Sequence, residues 1–248
     1  MSFILSIFTV WMNIALASVD SSARIFTSEQ DQTTLLELYS SQGCSSCPPA
    51  QQWVNDITNN PKLWQDIIPI VFHVNYWDYI GWRDPFGNES FSQRQREYAK
   101  QGAINSVYTP GFVANGQEWT GWFAGKGLSL SKENVGVLQA KTQGDALNIS
   151  FDGELDGTHK VNIAILGFDL LTKVRRGENA RKTLEDNFVV LAMDSLHFEN
   201  NTTYQLPDYS MIKCDLAKKG IAIEKTALVV WLSDNSGLNP IQAVGGYL

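Results

Sequence analysis

Leu35-Leu36-Glu37-Leu38-Tyr39-Ser40-Ser41-Gln42-Gly43-Cys44-Ser45-Ser46-Cys47-Pro48-Pro49 is the stretch on which the fold turns. Its apolar front, Leu35 to Tyr39, reads as a short buried strand. Ala50 to Ile57 reads as a helix, with Trp53, Val54 and Ile57 at helical spacing. Pro48 and Pro49 suit a first helical turn, where backbone N–H groups have no partner to lose. A C-x-x-C between strand and helix sets two sulfurs at a helix N-terminus, whose unpaired N–H groups favour a thiolate. Thiol–disulfide exchange requires that arrangement: Cys44 as nucleophile, Cys47 to resolve the mixed disulfide, and Ser45 and Ser46 to hydrogen-bond a thiolate. A structural disulfide and half of a metal site are the other readings of the motif. Zinc would need further ligands, and the chain has no second C-x-x-C and no close histidine pair. No metal or other cofactor is therefore expected, since a dithiol carries two electrons by itself.

Downstream, Asn59-Asn60-Pro61 breaks the helix and Ile67 to Val74 forms a second apolar strand. Trp77 to Asn88 is an aromatic loop, and Phe91 to Gln101 a polar helix. Gly111 to Ala114 and Gln117 to Trp122 flank Asn115-Gly116, a hairpin signature. Strands alternating with helices imply an α/β sheet with an antiparallel edge. A short helix is expected at Lys132 to Lys141. Beyond Gly144 the pattern changes. Leu147 to Phe151, Lys160 to Phe168, Phe188 to Met193 and Thr226 to Leu232 read as strands, with Asp152-Gly153, Asp156-Gly157 and Asn235-Ser236-Gly237 as turns. That half is mainly β, in the manner of a small sandwich. The expected division is a polar lead-in at 18–32, an α/β domain at 33–143 and a β-rich domain at 144–248.

Two further features surround the cysteines. Val107-Tyr108-Thr109-Pro110 enters the hairpin strand. Taken alone, Pro110 is expected to be trans, because only about 5% of X–Pro bonds are cis. A cis bond would present the Thr109 backbone to an extended visiting peptide. The loop from His73 to Phe86 leaves the carboxyl end of its strand, the edge that carries the C-x-x-C. Trp77 and Trp82 are candidate walls of a substrate site and Asp78 a candidate tuning group. His73, mid-strand, reads first as a satisfied core histidine.

Strand, C-x-x-C, helix, strand, helix, Thr-Pro and hairpin, in this order and spacing, resemble the thioredoxin fold. The longer stretch from Leu38 to Pro49, with His73-Val74-Asn75-Tyr76-Trp77-Asp78-Tyr79-Ile80-Gly81-Trp82-Arg83-Asp84-Pro85-Phe86, is similar to a family of secreted bacterial thioredoxin-like proteins of uncharacterised function. The similarity extends to Gly177-Glu178-Asn179 and the strand at 187–191. It implies a thioredoxin-like fold and a cis Thr109–Pro110 bond facing the cysteine pair, with Thr109 and Pro110 holding substrate. It implies no particular substrate. Asn75 stands where that family often carries Asp, which removes support for acid–base work there.

Composition sets the remaining bounds. With 44% hydrophobic residues in 248, the chain buries a core without needing disulfides. The net charge of −7 and the lack of a Lys/Arg run argue against nucleic acid. Phe3 to Ala17 is apolar and ends in Ala15-Leu16-Ala17, an export signal over residues 1–17, although no Lys or Arg precedes Arg24. The expected location is periplasmic or secreted, with no stable membrane insertion after processing. Cys214, the third cysteine, is expected to be a buried inert thiol.

The leading expectation is an exported thiol–disulfide oxidoreductase acting on protein thiols and disulfides or on small thiols. Its first rival is a binding or assembly module with a static disulfide. A second rival is a copper-handling protein using Cys44, Cys47 and His73. A redox site exposes the Cys44 sulfur and a staple buries it, whereas copper needs His73 aimed at the sulfurs.

Overall fold

The computed structural model describes residues 23–248; the export signal expected at 1–17 and the start of the lead-in lie outside the described residues. The chain begins with β1 (Ile25–Thr27), β2 (Thr34–Ser40), α1 (Cys47–Asp56), β3 (Ile67–His73), α2 (Glu89–Lys100), β4 (Gly111–Ala114) and β5 (Gln117–Glu118). It continues with β6 (Leu138–Gln143), β7 (Ala146–Phe151), β8 (His159–Phe168), β9 (Leu170–Lys173), β10 (Thr183–Asp186), β11 (Val189–His197) and β12 (Thr202–Gln205). Last come α3 (Ser210–Lys218), β13 (Lys225–Asp234) and β14 (Pro240–Tyr247). The protein is mixed α/β and mostly sheet.

Every residue of β2 and β3 is buried, as befits strands covered on both faces. The two run parallel, from Thr34 opposite Ile67 to Ser40 opposite His73. β4 pairs antiparallel on the other side of β2. The Asn115-Gly116 turn has positive φ at both residues, 44° and 82°, which matches a type I′ hairpin.

The main sheet has eight strands in the order β14-β13-β8-β11-β3-β2-β4-β5, so it takes strands from both sides of position 144. Its two parts meet where Val189 of β11 pairs parallel with Val71 of β3. A second sheet, β1-β6-β7-β12, covers one face of β8, β13 and β14. Leu138, Leu147, Ile149 and Phe151 on one side meet Val161, Ile163, Leu228 and Val230 on the other. α2 is tied to the main sheet by Arg94, whose Nη2 lies 2.6 Å from Glu37 Oε1 and whose Nη1 donates to Gly237 O. Tyr98 Oη donates to Leu238 O, so this helix also holds the β13–β14 turn.

Several sequence expectations need correction. The helix expected at Lys132 to Lys141 is absent. Leu138, Ala140 and Thr142 alternate inward with exposed neighbours, and this period of two makes the segment strand β6. Part of the lead-in is β1, paired with β6 from Ile25 opposite Lys141 to Thr27 opposite Gln139. The Phe26 ring packs where a side chain on Gly246 would lie, 2.7 Å from the position of an added Cβ. Helix α3 and strands β9, β10, β12 and β14 were not foreseen either.

Candidate functional site

The edge at the carboxyl ends of β2 and β3 collects the chemistry-bearing residues. Cys44 and Cys47 form a disulfide with α-carbons 5.5 Å apart, at the N-terminus of α1. Ser46 is the residue before the helix, and its Oγ lies 3.2 Å from Cys44 Sγ. Across from the sulfur stands the carbonyl oxygen of Thr109, 3.7 Å away. The Thr109–Pro110 bond is cis, which the resemblance implied and local statistics did not. Trp77 Nε1 donates to Thr109 Oγ1 at 2.7 Å, and Tyr79, 81% exposed, stacks on the Trp77 ring. Trp82 Nε1 donates to Gln42 Oε1 at 3.3 Å. The structure thus brings Cys44, Cys47, Ser46, Thr109, Pro110, Trp77 and Trp82 together.

Burial departs from the expectation for a redox site. Cys44 is 2% exposed and Cys47 1%. Asp78 is engaged within its own loop, where its Oδ1 accepts the N–H of Asp84 at 3.1 Å. Burial, with the charge of Asp84, pushes the Asp78 carboxyl up despite that hydrogen bond. Ser45 is exposed and contributes its backbone, donating its N–H to Glu178 Oε2 at 2.9 Å. Asn75 is a structural link to α2 through Ser92, whose Oγ donates to Asn75 Oδ1 at 2.7 Å.

Beneath the disulfide lies a buried ionisable cluster that sequence reasoning did not assemble. His73 Nδ1 is 2.8 Å from Asp84 Oδ2, and His73 Nε2 is 3.9 Å from Asp186 Oδ1. Gln42 joins the two carboxylates. Its N–H donates to Asp84 Oδ2 and its Nε2 to Asp186 Oδ2, each at 2.7 Å. Burial alone would lower the His73 pKa, but the charge of Asp84, its hydrogen bond and the charge of Asp186 raise it overall. Asp84 is likewise opposed by burial yet held low by the His73 charge and by N–H donors from Gln42 and Phe86. Asp186 is pushed up to about 6, chiefly by burial. A cavity of about 250 Å³ lies beside this cluster, lined by Ser40, Gln42, Cys47, Gln51 and Asp186 among others.

The segment between β9 and β10 closes over the disulfide turn. Asn179, fully buried, donates Nδ2 to both Gln42 O and Cys44 O at 2.9 Å. Gly177 at φ 77° lies against Trp82. The motif Gly177-Glu178-Asn179 was visible only as part of a resemblance, and Asp186 carried no sequence signal.

His73 turns both ring nitrogens to carboxylates rather than to the sulfurs. No group of three or more His, Cys, Asp or Glu residues among those described is arranged to hold a metal ion. Cys214 corrects another expectation, because it is exposed on α3. Leu216, two positions on, faces the core, and on a helix that spacing turns Cys214 away from it. No helix among the described residues is long and apolar enough to cross a membrane.

No curated protein matches the chain. Among solved structures, the crystal structure of a protein from Agrobacterium tumefaciens is 24% identical over 89% of this chain and 96% of its own, with a TM-score of 0.59. HBP35 of Porphyromonas gingivalis is 12% identical over 89% of this chain and 76% of its own, with a TM-score of 0.55. Identities this low carry a shared fold and nothing more. The family model described as protein of unknown function, DUF1223, matches residues 35–232, most of the chain, and the protein belongs to that family.

Proposed function

We propose that the protein is an exported thiol–disulfide oxidoreductase whose C-x-x-C unit is thioredoxin-like. The observation that carries the proposal is the placement of Cys44 Sγ, at the start of α1 and 3.7 Å from the carbonyl that precedes cis Pro110. A helix N-terminus stabilises a leaving thiolate there. The Thr109 carbonyl is one hydrogen-bond acceptor for a peptide lying alongside.

Exchange runs in two steps. A visiting thiolate attacks Cys44 Sγ, the Cys44–Cys47 bond breaks, and Cys47 departs as a thiolate. The visitor's second thiolate then attacks its own half of the mixed disulfide, and Cys44 departs. The visitor loses two electrons and two protons, and the protein gains them. The reverse sequence reduces a visitor disulfide with the same atoms. Because both sulfurs are buried, exchange on this reading includes local opening around Cys44. Gln42, hydrogen-bonded to Asp84 and Asp186, ties the turn to the buried cluster.

The same burial favours a second reading, a static disulfide that staples the edge of the sheet for a binding role. Turnover separates the two. The oxidised protein, mixed with a peptide carrying two cysteines, should convert it to the disulfide, and Cys44→Ser protein should not. A wild-type rate no faster than that of the Cys44→Ser protein selects the staple.

A further inference from the structure

Lys173, Arg175, Arg176, Arg181 and Lys182 crowd into ten residues that contain one acid, Glu178. In a chain of net charge −7 this is a local reversal of sign. It occurs at the disulfide, because this is the segment whose Asn179 touches the backbone of Gln42 and Cys44. Its one acid is already engaged. Glu178 accepts the Ser45 N–H, and hydrogen bonds from Ser45 hold its carboxyl below the ordinary range. All five cations are exposed, and none forms an ion pair among the described residues. Lys182 Nζ donates to Asn179 Oδ1 at 2.9 Å, so one cation is fixed directly above the turn.

Reach follows from chain geometry. Arg175 and Arg176 are four and three residues from Asn179, and Arg181 is two. Four residues span at most about 14 Å, so these α-carbons lie that close to the residue in contact with Cys44. The rest of the molecule is net negative and repels an acidic visitor, while this segment attracts one. Such a field orients an approaching partner more than it tightens the final complex.

We propose that the Lys173–Lys182 segment is a docking surface for a protein partner that carries an acidic stretch beside the cysteine presented to Cys44, an inference that rests on the exchange reading of the site. Three peptides test it, each with the same internal disulfide and flanked by acidic, neutral or basic residues. Stoichiometric reduced protein, freed of dithiothreitol before mixing, is the reagent. The acidic peptide should react about ten-fold faster than the basic one at low ionic strength, and the gap should close as salt rises to the point where charges are screened beyond about 8 Å. The double variant Arg175→Glu/Arg176→Glu should invert the order, and Arg175→Gln/Arg176→Gln, a milder change at exposed positions, should flatten it. Equal rates for the three peptides, or an order that the variants leave unchanged, would overturn the docking surface. If no peptide reacts, the exchange reading falls. Fluorescence anisotropy of the acidic peptide then decides the docking surface alone: binding lost in the double variant supports it, and no binding removes it. Retention on anionic vesicles that the double variant abolishes, with peptide rates equal, would assign the patch to lipid and overturn the proposal.

Discussion

Replacing Asp186 by Asn should stabilise the protein at neutral pH and leave it unchanged in acid. Asp186 is 3% exposed, accepts one hydrogen bond from Gln42 Nε2 at 2.7 Å, and has His73 Nε2 at 3.9 Å. Burial pushes its carboxyl from the ordinary 3.8 up to about 6, with the His73 charge and the Gln42 bond opposing. A group whose folded pKa is raised contributes stability that is full below its unfolded pKa and lost as pH rises through the folded one. The stability therefore falls between about pH 4 and 6. The gap is about two powers of ten in proton affinity, or about 3 kcal/mol once Asp186 is ionised. Asn cannot ionise, and its Oδ1 still accepts from Gln42. The raised value already includes the opposing attraction of His73 and the Gln42 bond, so the expected gain at pH 7.5 is about 3 kcal/mol. Urea unfolding followed by tryptophan fluorescence, on wild type and variant at pH 4 and pH 7.5, reads the difference from the midpoints at unchanged slope. A variant that is less stable than wild type by the same amount at both pH values would refute this account of the cluster.

His73→Ala strands Asp84 and Asp186 without their shared counter-charge, and should cost about 3–5 kcal/mol in the same unfolding assay. At pH 7.5, adding Asp186→Asn to it should recover part of that loss; no recovery would mean that Asp186 is not an uncompensated charge. Asn179→Ala removes the donor to two carbonyls, Gln42 O and Cys44 O, and should cost about 2 kcal/mol. It should also speed reduction of the disulfide by dithiothreitol, followed by alkylation and mass spectrometry, and an unchanged rate would show that the 177–179 segment does not restrain the turn. Cys214 is the one free cysteine, and a coloured disulfide reagent should titrate one thiol per chain in the native oxidised protein. A reading of zero would place that thiol in the interior after all.

The parts of the fold that were legible are those where local pattern and tertiary environment agree. Leu35 to Tyr39 and Ile67 to His73, apart from Glu37 and His73, are apolar on both faces because the sheet is covered on both, and Asn115-Gly116 states its turn type outright. The Thr109-Pro110 isomer was legible only by resemblance, because local preference points the other way. Strands β1 and β14 were illegible because what fixes them is distant. β14 contains two adjacent glycines and owes its form to pairing with β13 over most of its length. Leu138 to Lys141 supports a helix or a strand on composition, and β1 on one side with β7 on the other decide for the strand. At the site, Cys44, Cys47, Trp77 and Trp82 lie within two short segments and announce themselves. Asp186 does not, since 144 residues separate it from Gln42, the side chain that holds it. The cations around Asn179 form no unbroken run in the sequence, and they acquire meaning only once Asn179 is seen against Cys44.

The central claim is that Cys44 exchanges disulfides, and a Cys47→Ser/Cys214→Ser protein tests it most directly. With its resolving partner removed and the exposed thiol gone, it should form a stable covalent adduct with a disulfide-bonded peptide, seen as one added peptide chain in the intact mass and mapped to Cys44. Its Cys44 thiol should titrate well below the roughly 8.5 of a free cysteine, followed by thiolate absorbance in the ultraviolet. No adduct, with Cys44 titrating as an ordinary thiol, would contradict the claim and leave Cys44–Cys47 as a staple.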